Sequence, residues 1–442
     1  MGQSRAFSAP GKALIAGGYL VLDPIYNSYV TALSSRMHSI VESDITTSTN
    51  GRRIKISSPQ FKQGEWEYII DGDKYFKDLK EINGRKNPFI EATIATILSY
   101  IQPKHNFNIN ITIYSDAGYH SQENTVSEVS SNGHKQFLYH EKAINEVAKT
   151  GLGSSAGLVT VLTIALLSYF EPQFNTNTSK HIVHNCAQIA HCYAQKKIGS
   201  GFDVAAAVYG SIIYKRFQPS LIEPFLTGDN VNNIDELKSL IESEWDFNHD
   251  QCTLPPKIRL LMGDIEGGSE TPKLVSKILN WKREKLEESD LLYHNLNASN
   301  ENLIKVLHDL HQFYNQDPEK YITEINQSHT SSSSPQFKAL SDAINQIRLN
   351  LQSLTKLSGA DVEPESQTEL LDNCNLLAGS FGGVVPGAGG YDAICLLVID
   401  QYIEDIIKET KHDEKFKNVT WLNLHEEEEG VKQENVEDYI GL

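Results

Sequence analysis

A short stretch near residue 150 constrains the fold more than any other part of the sequence. Residues 149–158 read KTGLGSSAGL, and the mostly apolar residues 158–170 follow with the character of a buried helix. Gly151 and Gly153 permit a positive φ and let a ligand approach the backbone closely. Ser154 or Ser155 is predicted to cap the helix, because a hydroxyl there satisfies an otherwise unpaired amide. Since the first-turn amides and the positive end of the helix dipole then face one point, the stretch predicts a phosphate-binding loop.

The same stretch is open to two other interpretations. One is an ordinary glycine-rich turn whose serine only caps a helix. The other is a dinucleotide-binding fingerprint, since Gly151, Gly153 and Ala156 satisfy G-x-G-x-x-[GA]. That fingerprint requires a strand before it and an acidic residue at the end of a second strand. Residues 141–150 are polar and poor in strand formers, and Glu171 follows the helix directly, so the context argues against the fingerprint.

Length and pattern together predict two domains of mixed α+β structure. The chain has 442 residues, which exceeds the roughly 250–300 residues at which one core usually stops growing. Residues 218–256 form a polar, acid-rich connection, so we predict domains at 1–225 and 226–442. Strand and helix patterns alternate in the second of these, as in an α+β layer. Residues 119–135 are expected to form a long polar loop. An antiparallel series of strands is expected at residues 28–33, 39–43, 53–57 and 66–70.

The charge balance excludes several classes of partner. The chain carries 39 basic and 57 acidic residues, for a net charge of −18. Such an acidic protein is not expected to bind nucleic acid or an anionic membrane, and an anionic substrate must meet a local cluster of basic side chains. Five scattered cysteines without a C-x-x-C pair predict reduced, mostly buried thiols. Because we find no apolar signal or membrane-spanning stretch, we expect a soluble, cytoplasmic protein.

Three further blocks carry candidate functional residues. PGK at residues 10–12 places the cation of Lys12 on a predicted tight turn, and GSGFD at residues 199–203 places the carboxylate of Asp203 at the start of an alanine-rich helix. PGAGG at residues 386–390 precedes an apolar strand, where glycines permit a second close approach of the backbone to a ligand. Taken alone, Lys12 also fits a solvated lysine and Asp203 a helix-capping aspartate.

In this order, the four blocks resemble those of the GHMP kinases, the superfamily of galactokinase, homoserine kinase, mevalonate kinase and phosphomevalonate kinase. Within it the chain is most similar to the fungal phosphomevalonate kinases, which share KNPF at residues 86–89, YHSQE at 119–123 and MGD at 262–264. The resemblance covers nearly the whole chain. It implies an N-terminal domain like the second domain of ribosomal protein S5 and a ferredoxin-like C-terminal domain. It also implies an enzyme that uses ATP and Mg²⁺ to convert (R)-5-phosphomevalonate to (R)-5-diphosphomevalonate in isoprenoid and sterol synthesis.

The resemblance also implies roles for individual residues. The expected ATP-binding set is Lys149, Thr150, Gly151, Leu152, Gly153, Ser154, Ser155, Ala156, Gly157 and Leu158. The expected acceptor-binding set is Lys12, Lys86, Lys197, Asp203, Gly387, Ala388 and Gly389. The lysines follow from charge: because an acidic surface repels an anionic acceptor, at least one of Lys86, Lys149 and Lys197 is expected to contact its phosphate or carboxylate. Lys12 is expected to bridge the transferred phosphoryl group and the acceptor oxygen, and Ser155 to offer its hydroxyl to Mg²⁺. Asp203 is expected to orient the acceptor rather than deprotonate it, because a phosphate with a second pKa of about 6 is already an oxyanion at neutral pH.

One departure from the superfamily and two alternative functions stay open. Mevalonate kinases carry a glutamate magnesium ligand on the helix before the catalytic aspartate, whereas residues 191–196 contain no acid. The metal then relies on Ser155 and ATP, or on Gln195 through water. The nearest alternative function is mevalonate kinase, which phosphorylates an alcohol. A catalytically silent sensor of ATP and a metabolite is another, although retention of Lys12 and Asp203 argues against it. A monomer or weak homodimer acting on small molecules is expected.

Overall fold

The computed structural model describes residues 4–43, 51–226, 233–266, 271–328 and 334–442. Residues 227–232 of the predicted connection lie outside these ranges. The strands are β1 (Arg5–Ala16), β2 (Ser28–Ser43), β3 (Arg52–Ser57), β4 (Glu65–Ile70), β5 (Leu79–Glu81), β6 (Phe107–Ser115), β7 (Thr125–Val129), β8 (Gln136–His140), β9 (Ile212–Lys215), β10 (Asn248–Gln251), β11 (Ile258–Ile265), β12 (Ser380–Val384), β13 (Ala393–Ile399), β14 (Val419–Trp421), β15 (Glu426–Glu427) and β16 (Lys432–Glu434). The helices are α1 (Tyr75–Asp78), α2 (Pro88–Ile101), α3 (Ser154–Phe170), α4 (Lys180–Gln195), α5 (Phe202–Tyr209), α6 (Glu223–Leu226), α7 (Ile234–Glu242), α8 (Thr271–Glu284), α9 (Leu286–Gln316), α10 (Pro318–Gln327), α11 (Pro335–Ser358), α12 (Glu365–Cys374) and α13 (Ile403–Thr410). The predicted α+β class is confirmed.

The larger sheet differs from the predicted antiparallel series in two ways. Within the described residues its order is β10-β9-β2-β6-β3-β4-β5, and β1, β15 and β16 join it through β2 and β1. The strands predicted at 28–33 and 39–43 are a single long strand, β2, which pairs with β1 along most of its length. β3 and β6 pair in parallel, because the chain crosses over through α2 between these strands. The predicted antiparallel step from 53–57 to 66–70 is confirmed by β3 and β4, whereas β6, which lies outside the predicted series, separates β3 from β2.

The apolar helix after the predicted phosphate-binding loop forms the centre of the first layer, which consists of the larger sheet and the helices packed on it. α3 packs on β1 and β2 and is surrounded by α2, α4 and α5. It is buried along most of its length, which explains why its sequence is apolar on all sides rather than amphipathic. α2 begins at Pro88, and the Asn87 side chain caps it by accepting hydrogen bonds from the amides of Phe89 and Ile90.

The stretch predicted as a long loop contains a β-hairpin strand instead. β7 and β8 pair antiparallel, with Thr125 opposite His140. The hairpin is anchored by Phe137, which is buried and stacks on Tyr114. Most of β7 is exposed, so its side chains show no alternation of apolar and polar residues. The loop prediction is therefore wrong for residues 125–129, because sequence alternation reports only strands with one buried face.

The second layer is a smaller sheet covered by helices. Within the described residues its order is β12-β13-β11-β14, and α11 packs against both β12 and α9. Two features complicate a simple division of the chain. α7 and β10 pack with first-layer elements, and β15 and β16 return from the C-terminal end to join β2 and β1. The division at 1–225 and 226–442 stays a prediction.

One hydrophobic core extends through both layers, so the two sheets are packed together rather than merely linked. All five cysteines are unpaired, and the predicted buried placement is confirmed for all but Cys252. In the ranges that the structure describes, no helix is both long enough and apolar enough to cross a lipid bilayer.

Candidate active site

Lys12 lies on β1 where that strand contacts the phosphate-binding loop. The predicted tight turn is wrong, because residues 10–12 stay within β1 and β2 bulges opposite them. The Lys12 amide donates to the Leu152 carbonyl at 3.1 Å, and Lys12 Nζ donates to the Gly151 carbonyl at 2.8 Å. Burial lowers the pKa of Lys12, while the neighbouring Asp203 carboxylate raises it. The strand and the loop therefore hold one cation in a fixed position.

The loop itself ends on Gly153 rather than on a serine. Gly153 caps α3 with a φ of 85°, and Gly151 has a φ of 75°, both in the region that favours glycine. The prediction that Ser154 or Ser155 caps the helix is therefore wrong, since both serines lie in the first turn of α3. A Cβ at Gly153 would lie 3.3 Å from Lys12 Cε and 3.8 Å from Asp203 Cβ. The structure thus brings the loop, Lys12 and Asp203 together.

Asp203 lies in the first turn of α5, after a glycine-rich turn. Gly201 caps this helix with a φ of 79°, and a Cβ there would lie 2.7 Å from the Phe217 ring. Arg216 stabilises this glycine-rich turn, because its guanidinium donates to the carbonyls of residues 198 and 199. Sequence reasoning missed Arg216, since a lone arginine at the end of a strand carries no local signal for this role.

His191 connects the phosphate-binding loop to Asp203. It lies on α4, and its Nε2 is 3.0 Å from Ser155 Oγ and 3.9 Å from Asp203 Oδ2. The Gln195 amide nitrogen is 3.1 Å from the same Nε2 atom. Burial, the main cause, lowers the pKa of His191; Asp203 opposes this and Lys197 adds to it. The sequence marks His191 only as one of several histidines on an amphipathic helix, so its place between two site residues was not foreseen.

A large cleft opens in front of Lys12 and Asp203. Its volume is about 810 Å³. Six of the seven predicted acceptor-binding residues line it: Lys12, Lys197, Asp203, Gly387, Ala388 and Gly389. The first three come from the first layer, and the turn at residues 386–390 comes from the second. We call this space the main cavity.

A smaller cavity of about 440 Å³ lies on the other side of the phosphate-binding loop. Its walls include the aromatic rings of Phe61, Trp66 and Phe89, and exposed lysines lie at its edge. Lys86, the remaining predicted acceptor-binding residue, lines this second cavity and not the main one. The structure therefore does not bring Lys86 together with Lys12 and Asp203.

The predicted ATP-binding residues divide between the two cavities and the core. Thr150 and Gly151 line the main cavity, whereas Lys149, Ser154, Ser155 and Leu158 line the second cavity. Leu152 and Ala156 are buried, and a Cβ at Gly157 would lie 3.2 Å from Met37 Cβ. The loop therefore forms the partition between the cavities, with packing residues inside it and polar groups on both sides.

The donors present suit a magnesium ion that is held mainly by a nucleotide. Within the described residues, no group of three or more histidines, cysteines, aspartates or glutamates is arranged to hold a metal. Ser155 Oγ lies at the start of α3, where it is in hydrogen-bond contact with His191 Nε2. Mg²⁺ usually keeps several waters and takes few protein ligands when substrate phosphates are present, so a single hydroxyl is compatible with it.

Comparisons with known proteins show which sequences this chain resembles. The model of the GHMP kinases N terminal domain matches residues 124–211, which include the loop and Asp203. The chain is 55% identical over 443 residues to the phosphomevalonate kinase of Candida albicans, covering 99% of this chain and 100% of that one. It is 28% identical to the peroxisomal phosphomevalonate kinase of Arabidopsis thaliana over 89% of each chain.

A solved structure shows the same fold. The phosphomevalonate kinase of Streptococcus pneumoniae, in complex with phosphomevalonate and AMPPNP, has a TM-score of 0.63 and 16% identity, covering 96% of this chain and 99% of that one. The full-length identity to the fungal enzyme shows the family, and the likeness to the solved structure shows the fold. The chain adopts the GHMP kinase fold and belongs to the phosphomevalonate kinase family.

Proposed function

We propose that the chain transfers the γ-phosphoryl group of ATP to the phosphate of (R)-5-phosphomevalonate, giving (R)-5-diphosphomevalonate and ADP. This reaction belongs to the mevalonate pathway of isoprenoid and sterol synthesis. Membership of the family, with full-length similarity, carries the proposal. The geometry supports it because the half-buried cation of Lys12, the carboxylate of Asp203 and the start of α3 meet between the two cavities.

The two cavities suit the two substrates differently. An adenine ring is flat and mostly apolar, and the second cavity has aromatic walls beside the start of α3. Its phosphates would then reach the first-turn amides, where the helix dipole favours negative charge. Phosphomevalonate carries a phosphate and a carboxylate, and the main cavity holds Lys12 and Lys197. We therefore assign the nucleotide to the second cavity, the acceptor to the main cavity, and Lys86 to the nucleotide side.

Catalysis in this arrangement depends on charge and alignment. The bond between the γ-phosphorus and its bridging oxygen breaks while a bond forms to an oxygen of the acceptor phosphate. Lys12 would neutralise the charge on the transferred group, because its Nζ is fixed at the Gly151 carbonyl beside Asp203. Asp203 would orient the acceptor, whose phosphate is already ionised at neutral pH. Mg²⁺, when bound, supplies charge neutralisation at the ATP phosphates, and Ser155 is the residue that would hold it.

The test of the proposal is substrate profiling of the purified full-length chain. ADP release is measured with mevalonate, with 5-phosphomevalonate and with no acceptor, and Asp203→Ala serves as the inactive control. We expect ADP release that depends on 5-phosphomevalonate and is lost in the variant. Release with mevalonate alone would identify the alternative kinase of the same superfamily, and no release with either acceptor would support a silent sensor.

The assignment of the cavities has a separate test. Lys197→Ala should raise the KM for 5-phosphomevalonate, and Lys86→Ala should raise the KM for ATP. Loss of a charge-assisted hydrogen bond corresponds to roughly a tenfold or larger rise. The two variants control for each other, since each removes one exposed lysine at a cavity edge. Reversed effects would exchange the substrates between the cavities.

We also propose a monomer or weak homodimer in the cytoplasm. Sedimentation at several concentrations tests the first statement, and imaging of a tagged chain tests the second.

A further inference from the structure

Tyr19 has an unusual backbone conformation at the edge of the main cavity. Its φ is 65° and its ψ is −37°, and its side chain is 4% exposed. A positive φ is unfavourable for a residue with a Cβ. Such a conformation persists only when the surrounding contacts stabilise it, so those contacts indicate what the residue does.

The Tyr19 hydroxyl makes a short hydrogen bond to the second layer. It donates to the Ala388 carbonyl at 2.6 Å. Burial raises the pKa of Tyr19 and so keeps the hydroxyl protonated as a donor. Ala388 belongs to the turn at residues 386–390 between β12 and β13, whereas Tyr19 follows β1. The bond therefore joins the two layers at the main cavity.

The other backbone amides of this turn are engaged within the protein, with one exception. The amides of residues 387, 389 and 390 donate to the carbonyls of Leu14, Pro386 and Val362. Among the described residues, the Ala388 amide has no protein acceptor. Ala388 also lines the main cavity. It is therefore the backbone donor of the turn that remains for a ligand.

We propose that Tyr19 is a positioning residue for the acceptor. By holding the Ala388 carbonyl, it fixes the turn at residues 386–390, and the Ala388 amide then donates to an anionic group of the acceptor. The inference rests on the proposed function, because it takes the main cavity as the acceptor site. It assigns Tyr19 no contact with the reacting atoms, so its effect should appear in acceptor binding and not in nucleotide binding.

The variant that tests this role is Tyr19→Phe, which removes one oxygen and keeps the ring. Loss of one buried hydrogen bond corresponds to about a three- to tenfold change in an equilibrium constant. We expect the KM for 5-phosphomevalonate to rise by that factor. The KM for ATP and kcat should change by less than about twofold, since Tyr19 contacts neither the loop nor Asp203 in the bonds it makes.

Tyr321→Phe is the matched control. Tyr321 is fully buried, and its hydroxyl donates to the Pro256 carbonyl at 2.7 Å, but it lines neither cavity. Both variants lose the same kind of bond, so their unfolding temperatures should fall similarly. Only Tyr19→Phe should weaken acceptor binding, measured directly by calorimetric titration of 5-phosphomevalonate without nucleotide.

Three outcomes would overturn the inference. They are unchanged acceptor binding in Tyr19→Phe, an equal rise in the KM values for both substrates, and the same loss of binding in Tyr321→Phe. Failure of the proposed function gives a different result, because wild type would then release no ADP with 5-phosphomevalonate. If wild type is active and Tyr19→Phe behaves identically, only the role of Tyr19 is refuted.

Discussion

Replacing Lys12 with methionine separates its catalytic role from a structural one. At an effective dielectric constant near 20, two unit charges about 4 Å apart interact by about 4 kcal/mol. ATP is already charged in the ground state, so only the part of this interaction gained in the transition state lowers kcat. Removal of one fixed donor from a charge-stabilising site typically costs about 2.7–4 kcal/mol. We therefore expect Lys12→Met to lower kcat by about 10²- to 10³-fold, with the KM for ATP changed by less than about threefold.

The stability of this variant supplies the control. Burial lowers the pKa of Lys12 below its unfolded value, so its charged form is disfavoured in the folded state. An apolar side chain of similar length should therefore leave the unfolding temperature unchanged or raise it. The assay is steady-state ADP release at varied ATP, with thermal unfolding in parallel. Lys149→Met removes an exposed lysine from the predicted phosphate-binding loop. This variant should raise the KM for ATP and leave kcat unchanged. Equal losses in ATP binding and turnover for Lys12→Met would refute a role specific to the transition state.

Three other perturbations give distinct results. Asp203→Asn should lower kcat by roughly 10²-fold through misplacement of the acceptor, and higher pH should not restore the rate because no proton is taken up. Gly389→Ala should raise the acceptor KM and lower the unfolding temperature more than Gly387→Ala does. A Cβ at Gly389 would lie 2.2 Å from the Val362 carbonyl oxygen, whereas a Cβ at Gly387 would meet no atom within 4 Å. Equal effects of the two substitutions would contradict this. Burial, then His140 and Lys149, lower the pKa of His120 from 6.5 to about 4, so the unfolded chain binds a proton between these pH values that the folded chain does not. The free energy of unfolding should therefore fall by about 3 kcal/mol from this group as the pH falls through that window, and urea unfolding of His120→Phe should show a flatter pH dependence.

The sequence predicted which blocks form the site but not how they are joined. Lys12, Asp203 and the loop at 149–158 were identified because glycines and charged residues in a fixed order carry a local signal. The contacts of His191 and Arg216 have no such signal, since they depend on where α4 and β9 pack. The same limit explains Lys86, because the sequence does not reveal on which side of the loop a lysine lies.

Errors in the predicted fold have a related cause. Strand patterns indicated local extended structure correctly, but the position of β6 between β2 and β3 depends on a crossover of the chain through α2. Strand order is a property of distant segments, and side-chain periodicity within one segment does not encode it. The hairpin of β7 and β8 has a different cause. Strand β7 buries too few side chains to produce an alternation of apolar and polar residues, so the sequence predicts a loop there.

The glycine at position 153 determines two properties of the site at once. Because Gly153 caps α3 without a side-chain hydrogen bond, the first-turn amides of the helix stay available for an anionic ligand. Because it has no Cβ, Lys12 Cε and Asp203 Cβ can both lie against the loop, within 3.3 and 3.8 Å of where that atom would be. An alanine there would displace Lys12 and strain the cap in the same step. The close spacing of the cation, the carboxylate and the helix start is therefore a consequence of backbone geometry at Gly153.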